Sequence, residues 1–93
     1  IIDEVRDKNP TTTIILAGME LPPNMGKVYT SEFRSVFSDV ARENNLKFIP
    51  FILENVGGIA ELNQRDGIHP TVEGHKIIAN TVWNVLENMV NPL

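Results

Sequence analysis

Apolar positions switch between helical and strand spacing along the chain, and the switches predict its elements. Ile1, Ile2 and Val5 have the spacing of the last turns of an amphipathic helix, which Asn9-Pro10 ends because a residue before proline avoids the helical region. Thr11 to Gly18 is β-branched and then continuously apolar, which predicts a strand buried on both faces of a parallel sheet. Pro22, Pro23, Asn24 and Gly26 argue against a regular element between Met19 and Lys27 and predict a loop at the carboxyl end of that strand. Open α/β sheets place their ligands at that edge.

Tyr29, Phe33, Val36, Phe37, Val40 and Ala41 recur at helical spacing, with Thr30 or Ser31 available as cap and Asn44-Asn45 as stop. The stripe reads as the packed face of a crossover helix rather than a cofactor box, since any helix lying on a sheet needs such a face. Leu46 to Phe51 predicts a second strand, with Pro50 at an edge position or at its end. Strand, helix and strand then form a right-handed βαβ unit. Ile52 to Arg65, with Gly57-Gly58, reads as a loop holding one short helical turn. A last helix follows Pro70, with Thr71 as N-cap, Glu73 in its first turn, and Ile78, Val82, Val85, Leu86 and Met89 on its apolar face. Pro92 lies just past its expected end. The class is α/β, in one domain, without repeats or linkers.

Composition narrows the function. With 93 residues, 42% of them hydrophobic and 22% charged, the chain is ordinary for a globular domain. A net charge of −4 with eight scattered Lys and Arg argues against a nucleic-acid partner. The absence of cysteine removes disulfides, thiolate metal sites and thiol nucleophiles. No apolar run approaches the ~20 residues of a membrane-spanning helix.

Candidate chemistry concentrates in Asp66-Gly67-Ile68-His69-Pro70-Thr71. A carboxylate three residues before a histidine in a tight turn can fix the imidazole through one ring nitrogen and leave the other free to take a proton. The bland alternative has Asp66 capping a turn and His69 packed under the last helix. A metal reading would use Asp66, His69, Glu73 and His75, but His75 lies one turn into the helix and His69 before it, so the two need not face one point. Neither a metal nor a cofactor is expected. Ser31, Ser35 and Ser38 lie on the crossover helix, away from any sharp strand-to-helix turn, and are poor nucleophiles.

In this context the chain resembles the C-terminal half of an SGNH hydrolase, also called the GDSL family, in its arylesterase, acyl-CoA thioesterase and lysophospholipase branch. The resemblance rests on Ile14-Ile15-Leu16-Ala17-Gly18-Met19, on Leu21-Pro22-Pro23-Asn24 with Gly26, Tyr29 and Phe33, on Ile49-Pro50-Phe51 with Leu53-Glu54, and above all on Asp66-Gly67-Ile68-His69-Pro70 with Gly74. It implies the C-terminal part of a three-layer, flavodoxin-like fold with parallel strands and flanking helices. It further implies that Asp66 and His69 belong to a Ser-His-Asp triad acting on carboxylic esters or thioesters, with Leu21, Pro22, Asn24, Gly26 and Tyr29 near the substrate.

The family's serine, oxyanion-glycine and oxyanion-asparagine blocks are not found here. The expectation is therefore a fragment, inactive alone, whose partner is the N-terminal half of the same domain or a second copy. A truncated, non-catalytic association module is the alternative. The resemblance is compatible with a periplasmic or secreted parent, with no signal region in these residues to read.

Overall fold

A computed structural model describes residues 1–90 of the chain. Its order is α1 (Ile2–Lys8), β1 (Ile15–Ala17), a 3-10 turn (Pro23–Met25), α2 (Lys27–Glu43), β2 (Lys47–Ile49), a second 3-10 turn (Ala60–Leu62) and α3 (Val72–Val90). The two strands are parallel and in register, Ile15 with Lys47, Leu16 with Phe48 and Ala17 with Ile49. The expected strand-helix-strand order and the final helix are present. Pro92 lies outside the described residues.

Both strands are shorter than the apolar runs suggest, because a parallel ladder is only as long as its partner allows. A left-handed Asn45 (φ 54°) precedes β2, and Pro50, which has no N–H to give, follows it. Thr11 to Thr13 consequently have no strand to pair with. The strand ends meet closely: the Gly18 N–H donates to Ile49 O at 2.7 Å, and a Cβ on Gly18 would stand 2.3 Å from Pro50 O.

The expectation of burial on both faces of β1 fails. Ile15 and Leu16 are half-buried and Ala17 is exposed. α2 packs on both strands and α3 on β2, and no third strand lies beside β1 among the described residues.

α2 begins one turn before the expected cap. Met19 to Lys27 is not wholly irregular, since Pro23–Met25 makes a 3-10 turn and Gly26, at φ 94°, supplies the corner into the helix. Thr30 is therefore already inside the helix, and its hydroxyl donates back to Lys27 O at 3.1 Å instead of capping. At the other end Asn45 donates to Arg42 O and Leu46 to Ala41 O, which closes the helix with a left-handed residue as expected from Asn44-Asn45.

Within the apolar stripe Ala41 is buried and Phe33, Phe37 and Val40 are half-buried, with Phe33 and Phe37 meeting edge to face at 5.4 Å. Tyr29 and Val36, two turns apart on the rim of the stripe, are 55% and 57% exposed. A two-stranded sheet is too narrow to cover the whole stripe.

The small core follows from the same narrowness. Ala41, Ile49 and Val56 are the buried hydrophobic residues among those described. The accessible surface is 7167 Å², about a third above the roughly 5,400 Å² expected for a compact protein of this mass. The radius of gyration is 15.3 Å, against about 12 Å for a compact domain of this length. The chain is a slab of 41 × 33 × 22 Å. No helix among the described residues is long and apolar enough to cross a membrane.

Candidate active site

The chain from Val56 to Gly74 builds the site before any functional group is considered. Val56 is fully buried, and the Asn63 side chain donates to Val56 O at 2.8 Å and Ile59 O at 2.9 Å, tying the loop to its own anchor. Asn63 and Pro70 then form an antiparallel bridge, flanked by Gln64 N–H to His69 O at 2.7 Å and Thr71 N–H to Leu62 O at 2.9 Å. Inside this clasp Gly67, at φ 69°, makes the reversal. The loop is held at both ends.

α3 fixes the far end. The Thr71 hydroxyl accepts from Gly74 N–H at 3.2 Å, the expected N-cap. Gly74 is buried so close to the clasp that a Cβ there would lie 2.4 Å from Leu62 O and 3.0 Å from Pro70 Cβ. Only glycine permits that approach without moving backbone.

Asp66 is engaged through both oxygens. Oδ1 accepts from the backbone N–H groups of Ile68 at 2.9 Å and His69 at 3.0 Å, and Oδ2 accepts from His69 Nδ1 at 2.5 Å. These bonds favour the ionised carboxylate and hold Asp66 well below its ordinary 3.8, at about 2, with the His69 side chain as the largest cause and the backbone donors after it. A proton on Nδ1 leaves Nε2 as the acceptor in the neutral ring. The His69 side chain is 69% exposed, so it is not packed under α3 and the bland alternative for it fails.

A pH consequence follows. Because the folded-state value is lowered, what Asp66 contributes to the turn is complete above pH 3.8 and is lost as pH falls through about 2. The Asp66 carboxyl carbon, followed by NMR in acid, is expected to titrate with a midpoint near 2. A midpoint near 3.8 would mean that the carboxylate is not held in this way.

Beside the pair lies a cavity of about 530 Å³. Its wall joins the loop after β1 (Met19 to Pro22), the segment after β2 (Phe51 and Leu53), and Gly67-Ile68 between the two catalytic candidates. Leu21 and Pro22 lie on this wall. Asn24, Gly26 and Tyr29 are not on its wall, since the 3-10 turn carries the chain away into α2.

Glu20 falls within the Met19 to Lys27 loop expected at this edge, whereas Phe51, Leu53 and Asn63 were not anticipated. The rule that places ligands at the carboxyl ends of strands could have found Phe51 and Leu53 had it been applied to β2 as well as β1. Ser35 and Ser38 spend their hydroxyls on Ser31 O and Ser35 O within α2. Glu73 pairs with Lys76 at 3.3 Å, and no three His, Cys, Asp or Glu residues gather into a possible metal site among the described residues.

Comparison with known proteins points one way. The family model described as GDSL-like lipase/acylhydrolase matches residues 2–82. Esterase TesA of Pseudomonas aeruginosa is 36% identical over 77 residues, covering 83% of this chain and 38% of its own length. A thioesterase/protease/lysophospholipase of Escherichia coli is 30% identical over 91 residues, covering 98% of this chain and 43% of its own length. A crystal structure of TesA superposes with a TM-score of 0.84 at 34% identity, over 92% of this chain and 47% of that one. The chain thus spans less than half the length of these relatives. It belongs to the GDSL-like lipase/acylhydrolase family, the SGNH hydrolases, in the branch that includes this esterase and thioesterase.

Proposed function

We propose that this chain contributes the base and its orienting carboxylate to an SGNH serine hydrolase acting on carboxylic esters or thioesters. The observation that carries the reading is the bond from His69 Nδ1 to Asp66 Oδ2, in a turn that leaves the His69 side chain largely exposed and whose Gly67 and Ile68 line an apolar cavity. The names of the relatives support the ester and thioester classes.

In this mechanism His69 Nε2 takes the proton of a serine hydroxyl, supplied from outside these 93 residues, as the serine oxygen bonds to the carbonyl carbon. The tetrahedral intermediate collapses with cleavage of the bond to the leaving alcohol or thiol, which receives the proton from Nε2. Water, deprotonated by the same nitrogen, then releases the acid and frees the serine. Asp66 holds the ring throughout and stabilises its charged form. Leu21 and Pro22 form part of the substrate wall.

The large exposed surface favours one addition to this reading: the slab needs a covering partner, either the remaining part of the same domain or a second copy. The rival reading, a non-catalytic association module, shares that need and differs at the serine. A fluorophosphonate probe distinguishes them. The full-length protein is expected to label at one serine outside this chain, and the isolated chain not at all. Labelling of Ser31, Ser35 or Ser38, or an unreactive full-length protein, would overturn the hydrolase reading as stated.

A further inference from the structure

We propose that Glu20 gives the cavity beside His69 a charge filter, so that the enzyme disfavours esters carrying a negative charge on the part that the cavity receives. The inference rests on reading that cavity as the substrate site. Its wall is largely apolar, built from Leu21, Pro22, Phe51, Leu53 and Ile68 among others. Among the described residues that line it, Glu20 alone has an ionisable side chain.

Glu20 is half-buried and makes no ion pair or side-chain hydrogen bond among the described residues. Arg65 lines a neighbouring hollow that shares Gly58, Asn63 and Gly67 with the first, and no ion pair joins it to Glu20. The carboxylate is therefore uncompensated among the described residues.

An unpaired charge on a largely apolar wall acts on whatever enters, as far as the entering group displaces the water that screens it. A carboxylate on the substrate meets like charge and loses its own hydration on entry, whereas a quaternary ammonium gains a counter-charge. A neutral acyl or alkyl group is indifferent. Discrimination of this kind is a difference between affinities, so it is read as a ratio of kcat/KM between esters that differ in charge.

The test uses the full-length protein and two ester series. In one the charge sits on the acyl group: p-nitrophenyl pentanoate, p-nitrophenyl hemiglutarate and p-nitrophenyl 4-(trimethylammonio)butanoate. In the other it sits on the leaving group: phenyl acetate, 3-acetoxybenzoate and 3-(trimethylammonio)phenyl acetate. In one series at least, the anionic ester is expected to be slower than the neutral one by on the order of tenfold or more, with the cationic ester favoured. Glu20→Gln is expected to level the ratios and Glu20→Lys to invert them, and the wild-type ratio should shrink as salt is raised.

The series that responds identifies which end of the ester the cavity takes. Charge ratios unchanged by both substitutions in both series would overturn the filter while leaving the hydrolase reading intact, since the neutral esters report that reading separately. Failure to hydrolyse the neutral esters would overturn both.

Discussion

Full-length protein carrying His69→Ala is expected to turn over a short-chain p-nitrophenyl ester slower by on the order of 10⁴ to 10⁶ in kcat, the usual result of removing the base from a serine triad. Fold and substrate contacts should survive. The His69 side chain is 69% exposed and its ring makes a single hydrogen bond, to Asp66, so alanine leaves little unsatisfied within the chain. The loss should accordingly fall on kcat with little change in KM. Added imidazole, able to enter from solvent, should restore part of the rate. Near-normal turnover of the variant would remove His69 from the mechanism.

Asp66→Asn is the second large effect, expected at about 10⁴-fold in kcat. Its interest lies in what it spares. The amide oxygen can occupy the place of Oδ1 and go on accepting from the backbone of Ile68 and His69, so the turn is retained. The amide nitrogen then faces Nδ1 as a donor. That nitrogen must become the acceptor, which moves the ring proton to Nε2 and blocks it from receiving the serine's proton. Asp66→Ala loses the turn bonds as well, and thermal melting should separate the two: lowered for asparagine, which keeps the backbone bonds without the charge, and lowered further for alanine. An asparagine variant within tenfold of wild type would show that the carboxylate does not set the tautomer.

How far these residues could be read in the sequence depended on how local their determinants are. The Asp66 to His69 contact was legible because it closes within three residues around a glycine reversal, and the Thr71 cap because it acts on Gly74 in the same turn. The parallel pairing of β1 with β2 was legible from two apolar runs flanking a helical stripe. What failed was set at a distance. The length of β1 is fixed by Asn45 and Pro50 around β2, and the exposure of Tyr29 and Val36 by the width of a sheet that the stripe itself does not encode. The first turn of α2 was misplaced for a nearer reason: Gly26 starts a helix without a side-chain cap, a signal weaker than the Thr30 and Ser31 hydroxyls that outranked it.

The clasp between Leu62 and Thr71 bears on assembly. Each hydrogen bond that orients Asp66 and His69 arises from residues 66 to 69, and the loop is closed by bonds reaching no further than Val56 and Gly74. On the reading proposed above, a serine-bearing part would therefore meet a carboxylate and imidazole already oriented by their own turn. The ring need not search for its tautomer or direction at that moment, and the orientational entropy of the base has already been lost in folding the turn.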